Sequence, residues 1–154
     1  YLNSIIKFMS ILFMSYHQPI SIKPNSLILD VCGWKISAGF PSPAADHTEQ
    51  RIDLNTQLIR NKNATYLFKV KGDSMTGAGI YEDDILLVDR SISPKHNHII
   101  LAQLNNEFTV KRLYRRGGVI KLVAENPIYP QKKINDDDDL IAWGVVTYNL
   151  HKLY

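Results

Sequence analysis

A serine that ends a strand at a glycine turn is a candidate nucleophile. Lys69-Val70-Lys71-Gly72-Asp73-Ser74-Met75 reads as a strand entering a Gly-rich turn. Ser74 would therefore present its hydroxyl beside backbone N–H groups able to face an oxyanion. By turn chemistry alone, such a serine is most often a cap or turn residue. To act it needs a base. The five histidines are His17, His47, His96, His98 and His151. They fall in the first residues, a Pro-rich stretch, a polar turn, a strand start and the last residues, and none has the setting of a Ser–His–Asp triad. His96 and His98 have no third ligand in view, so no metal is expected. Lysine is the remaining base. On an alternating strand over Phe108-Thr109-Val110-Lys111-Arg112-Leu113, residues 109, 111 and 113 share one face. Burial disfavours the ammonium of Lys111, and a lysine that loses its proton is a general base for serine. Pattern alone favours an edge-strand lysine reaching solvent.

The elements that would position these residues are mostly strands. Tyr66–Val70, Asp84–Asp89, His98–Leu104, Glu107–Leu113, Val119–Val123 and Leu140–Tyr148 carry the apolar alternation of strands. Turn signals separate them at Gly77-Ala78-Gly79, Ser93-Pro94, Asn105-Asn106, Gly117-Gly118, Asn126-Pro127 and 135–139. Asn105-Asn106 predicts a tight hairpin, because Asn tolerates positive φ. Asp53 is placed to cap one short helical turn bearing Leu54, Leu58 and Ile59. Before residue 46 periodicity is weak, and Ala38-Gly39-Phe40-Pro41-Ser42-Pro43-Ala44-Ala45-Asp46 reads as an extended strap. The expected architecture is a flexible arm over residues 1–45 and a mostly-β, partly closed domain of antiparallel strands over 46–154.

The chain has 154 residues, 45% hydrophobic and 21% charged, which excludes a wholly disordered chain. Cys32 is the only cysteine, so neither an intrachain disulfide nor a Cys-rich zinc site is available, in keeping with a reducing cytoplasm. The net charge is +3 and evenly spread, unlike a protein that coats nucleic acid. The apolar run at Ile5–Phe13 is broken by Lys7 and Ser10 and is too short to span a membrane. Asp136–Asp139 reads as a solvated acidic loop, and Arg112, Arg115 and Arg116 as a basic hairpin end. Trp143 reads as a packing residue, and Leu140–Tyr148 as either a core strand or a strand able to pair with a second copy of the chain.

In combination, five motifs resemble the LexA/UmuD family of self-cleaving Ser–Lys proteins. They are the Ala38–Asp46 stretch, Glu49-Gln50-Arg51-Ile52-Asp53-Leu54-Asn55, Gly72-Asp73-Ser74-Met75, Asp84-Ile85-Leu86-Leu87-Val88-Asp89 and Glu107–Leu113. Ser74 and Lys111 stand 37 residues apart, and Ala38 precedes Ser74 by 36, both as in that family. The resemblance implies a LexA/UmuD-like catalytic β-domain with Ser74 as nucleophile, Lys111 as general base and the backbone amides of Asp73 and Ser74 as the oxyanion hole. It implies Ala38–Gly39 as the bond cut, with Cys32-Gly33 a weaker match lacking the Phe-Pro-x-Pro sequel. It further implies a homodimer, stimulation by a RecA filament on single-stranded DNA, and a trimmed form acting with a Y-family, UmuC-like DNA polymerase subunit in translesion synthesis during the SOS response. No cofactor is expected.

Two positions depart from the family pattern. Asp83 and Asn97 stand where glycine is usual, and both residue types can take a left-handed backbone. Two other readings remain. One is a LexA- or phage-type repressor fragment lacking its DNA-binding domain; the first 38 residues, with Pro19 and Pro24, cannot build a helix-turn-helix, so sequence-specific DNA binding is not expected. The other is a processing protease resembling signal peptidase, which would need a membrane anchor.

Overall fold

The computed structural model describes residues 28–31, 50–135 and 137–154. They fall into two compact units, one within Lys23–Lys62 and one within Asn63–Tyr154. In the first, β1 (Ile28–Val31) runs antiparallel to β2 (Gln50–Asp53), in register from Ile28↔Asp53 to Val31↔Gln50. Neither four-residue strand shows the alternation of a half-buried strand, and the sequence marks neither. β1 lies inside the segment read as an arm, whereas Cys32, Trp34, Ala38 and Gly39 lie outside the described residues. Helix α1 (Leu54–Leu58) follows β2 directly. Asp53 caps it as expected: Oδ1 accepts from Asn55 N–H and Oδ2 from the Thr56 hydroxyl, both at 3.0 Å.

The second unit is one seven-stranded antiparallel sheet. Its strands are β3 (Thr65–Lys69), β4 (Ile85–Asp89), β5 (Ile99–Leu104), β6 (Glu107–Arg116), β7 (Val119–Val123), β8 (Lys132–Lys133) and β9 (Leu140–Leu150). They lie in the order β3-β4-β9-β5-β6-β7-β8. The mostly-β expectation holds. The Asn105-Asn106 hairpin forms with φ of 49° and 69°. Asp83 and Asn97 take the left-handed backbone expected of them, at φ 68° and 70°. β8 is an addition, too short and too basic for any periodicity to reveal it.

β9 organises the sheet by pairing β5 through residues 140–145 and β4 through 145–150. Two bulges bend it. Leu101 pairs Gly144 while Ala102 pairs Ala142, which leaves Trp143 as the extra residue. The bulge switches the side-chain alternation. Leu140, Ala142 and Val145 therefore share a core with Ile100, Ala102, Leu113 and Leu122, whereas Trp143 joins Met75, Ile80, Leu86, Val88 and Leu101 on the other side. Trp143 is the packing residue expected of it, edge-on to Tyr66 and Phe68 with the Arg90 guanidinium 4.5 Å from its ring centre. Among the described residues no helix is long and apolar enough to cross a membrane.

Candidate active site

Ser74 follows Gly72, whose φ of +90° turns the chain out of β3 into the loop. Its neighbour Met75 is 3% exposed and buried in the Trp143 core. That burial pins the turn, while Ser74 itself remains partly accessible. A single 3-10 turn, Thr76–Ala78, carries the chain onward.

Lys111 sits mid-way along β6, opposite Ile100 and two residues before the buried Leu113. Strand alternation thus puts the lysine on the face of Leu113, rather than out in solvent as pattern alone favours. Its Nζ lies 2.7 Å from Ser74 Oγ, 3.0 Å from Thr109 Oγ1 and 3.0 Å from Val110 O, donating to all three. Burial holds the Lys111 ammonium below its ordinary value. The three acceptors match the three protons of an ammonium. A neutral amine has two N–H groups and one lone pair. With Thr109 and Val110 taking the two N–H groups, the lone pair is left for the Ser74 hydroxyl, whose O–H then donates to nitrogen. Thr109, which sequence reasoning placed on this face without a role, therefore orients the amine.

Beside Lys111 an open groove of about 260 Å³ runs between Leu104, Phe108, Thr109 and Leu122, with Glu107 and Lys132 among its lining. Phe108 is 56% exposed at this groove.

The serine turn is held from behind by the segment after β7. Ser74 O accepts from Glu125 N–H at 2.9 Å, and Glu125 O accepts from Gly77 N–H at 2.6 Å. A Cβ on Gly77 would lie 2.2 Å from Glu125 O, so only glycine permits this approach. Asn126 Nδ2 donates to Asp73 O at 3.1 Å, and the Tyr129 hydroxyl donates to Asp73 Oδ1. Glu125 Oε1 accepts from Arg112 Nε at 2.5 Å, which ties the segment to the strand bearing Lys111. Among the described residues neither the Asp73 nor the Ser74 N–H meets an acceptor.

The structure thus brings Ser74, Asp73 and Lys111 to one place. Sequence reasoning missed Glu125, Asn126 and Tyr129; Asn126-Pro127 signalled a turn but not what the turn supports. His96 and His98 are engaged locally, with Nδ1 accepting from Arg115 N–H and Lys95 N–H respectively. Among the described residues no group of three or more His, Cys, Asp or Glu side chains is placed to hold a metal ion. Within the acidic run, Asp138 accepts from Asn135 N–H and Asn105 Nδ2, securing the β5–β6 hairpin, while Asp136 lies outside the described residues.

Residues 28–147 match the Peptidase S24-like family. The chain is 36% identical over 143 residues to Protein ImpA of Escherichia coli, covering 89% of this chain and 94% of that one. It is 42% identical over 117 residues to Protein MucA of Escherichia coli, covering 75% and 80%. It is also 37% identical over 138 residues to the LexA repressor of Bordetella avium, covering 86% of this chain and 64% of the repressor.

Proposed function

The chain belongs to the Peptidase S24-like family, and from that premise we propose that it is a UmuD-like protein of the SOS DNA-damage response that cuts itself. Ser74 is the nucleophile and Lys111 the general base. The neutral amine takes the Ser74 proton as Oγ attacks the carbonyl carbon of Ala38. The Asp73 and Ser74 N–H groups receive the developing oxyanion. The C–N bond to Gly39 breaks, and the Lys111 ammonium returns the proton to the leaving amine. Water, deprotonated by Lys111, then hydrolyses the acyl-enzyme. Residues 1–38 leave and 39–154 remain.

In this reading residues 1–45 are the arm that delivers the bond, and 46–154 the catalytic body. The protein works as a homodimer in the cytoplasm. A RecA filament on single-stranded DNA promotes the cut, and the trimmed form joins a Y-family polymerase subunit for synthesis past lesions. The 2.7 Å contact between Lys111 Nζ and Ser74 Oγ carries the reading. Burial that favours the neutral amine supports it.

The test is intact-mass measurement after incubation with RecA, ATP and single-stranded DNA. The expected products are 1–38 and 39–154, and Ser74→Ala should give neither. A fragment starting at Gly33 would move the cut to Cys32, and an intact chain under every condition would sink the reading. Similarity to a LexA repressor keeps a second reading open. Sequence-selective operator binding by the uncut chain, lost on cleavage, would decide for it.

A further inference from the structure

Ser74 lies between two peptide groups, and the carbonyl of each is held by the segment after β7. Asp73 O accepts from Asn126 Nδ2 at 3.1 Å and from Thr76 N–H at 3.3 Å, and Ser74 O accepts from Glu125 N–H at 2.9 Å. A peptide group is planar and trans, so its N–H points opposite to its C=O. Holding Asp73 O from one side therefore aims the Ser74 N–H to the other.

We propose that Asn126 is a positioning residue for the reaction: its side-chain amide grips Asp73 O and thereby aims the Ser74 N–H at the carbonyl oxygen of the bond being cut. The proposal rests on the Ser74 chemistry proposed above. Asn126 is built for the task. It is only 9% exposed, so its amide has few alternative partners. Its Oδ1 accepts from Ile128 N–H at 3.2 Å, which commits Nδ2 to face Asp73. The Tyr129 hydroxyl on Asp73 Oδ1 holds the neighbouring carboxylate in place. Arg112 bonds Glu125 Oε1 through Nε and Asn97 O through a terminal nitrogen at 2.7 Å. The support of the serine thus hangs from the residue next to Lys111, and both reacting groups share one frame.

The decisive variant in the 1–154 chain is Asn126→Asp, which keeps size and the acceptor for Ile128 N–H but loses the donor that faces Asp73 O and, at 3.5 Å, Asp73 Oδ2. Self-cleavage is followed across pH alongside thermal unfolding. A peptide of residues 34–38 ending in an aldehyde is also titrated, since its hemiacetal oxygen would occupy the oxyanion position; the same peptide ending in an amide is the control. The plateau rate should fall roughly 10- to 100-fold, somewhat less than for loss of a whole oxyanion donor. The pH midpoint should stay in Asn126→Ala, which adds no charge, and rise in Asn126→Asp, whose new carboxylate favours the Lys111 ammonium. The aldehyde should weaken in step with the rate and the amide should not. Should Asn126→Asp fail to fold, Asn126→Ala carries the test, with rates corrected for the unfolded fraction. Rates within twofold of the parent chain, or equal weakening of both peptides, would overturn the proposal. A parent chain that never cuts itself would refute the Ser74 reading and this one with it, whereas a parent chain that cuts no faster than Asn126→Asp refutes this one alone.

Discussion

Gly77→Ala isolates the contact that locks the serine turn to its support. Gly77 has no positive φ, so alanine meets no backbone penalty and the cost is steric. The added Cβ would lie 2.2 Å from Glu125 O and 3.2 Å from Glu125 C. Ordinary separation requires a displacement of about 1 Å. The opposing atoms are main chain, and Glu125 is further tied by its N–H to Ser74 O and by its carboxylate to Arg112, so no flexible side chain can swing away. The displacement breaks the 2.6 Å Gly77 N–H to Glu125 O bond and strains the Glu125 N–H to Ser74 O bond. Overpacking costs about 1–3 kcal/mol and one lost backbone hydrogen bond about 1 kcal/mol more. Urea denaturation should therefore show a loss of about 2–4 kcal/mol with an unchanged slope. The catalytic effect should be of similar size, since a shift of about 1 Å at reacting groups costs roughly 100-fold in rate, about 2.7 kcal/mol. Measured where the variant is fully folded, self-cleavage should be about 100-fold slower. A folded Gly77→Ala that cuts within threefold of the parent chain would show that this contact does not position Ser74.

Lys111 and Asp84 give the other tests. Lys111→Ala should abolish self-cleavage in a folded chain, and Lys111→Arg should not restore it, because a guanidinium stays charged. Self-cleavage should accelerate as pH rises through the lowered Lys111 pKa and then level off; a flat profile from mildly acidic to alkaline pH would remove Lys111 as the base. The folded chain holds that proton less tightly than the unfolded chain, so stability should rise with pH between the lowered value and the unfolded value of ~10.4. Lys111→Met should flatten that rise, as seen by denaturant midpoints across pH. Asp84, 2% exposed, accepts from Tyr81 N–H, Asn149 Nδ2 and His151. Burial pushes its carboxyl up, yet those bonds outweigh it and the net shift is downward. Its stabilisation should be present above the unfolded value of ~3.9 and be lost as pH falls through the lower folded value. Asp84→Ala, which leaves buried donors unpaired, should cost about 2–4 kcal/mol in urea and lose that acid transition.

Strands long enough to alternate were legible in the sequence, and so was everything their alternation positions. β6 is the clearest example: one period-2 pattern puts Lys111 on the same face as the buried Leu113, and the fold then brings Ser74 to it. Asn105, Asn106, Asp83 and Asn97 were legible for a different reason, since few residue types tolerate their backbone. β1 and β2 were not, because four-residue strands contain too few positions for a period to emerge. β8 has only two. The bulge at Trp143 was hidden too, since an inserted residue in a strand leaves an apolar run that looks continuous. The candidate site divides in the same way. Ser74 and Lys111 are singled out by the family resemblance and its 37-residue spacing, since residue type and strand pattern alone favour a turn serine and an edge-strand lysine. Glu125 and Gly77 act on the serine turn through main-chain N–H and C=O groups that every residue except proline possesses, and nothing in a residue's name records where its backbone is aimed. Asn126 is intermediate: its side-chain amide makes the bond, but its partner is the backbone of a residue 53 positions away. What a sequence displays is side-chain type; the main-chain frame that holds the serine turn is built largely from groups that all sequences share, and becomes visible only once the chain is folded.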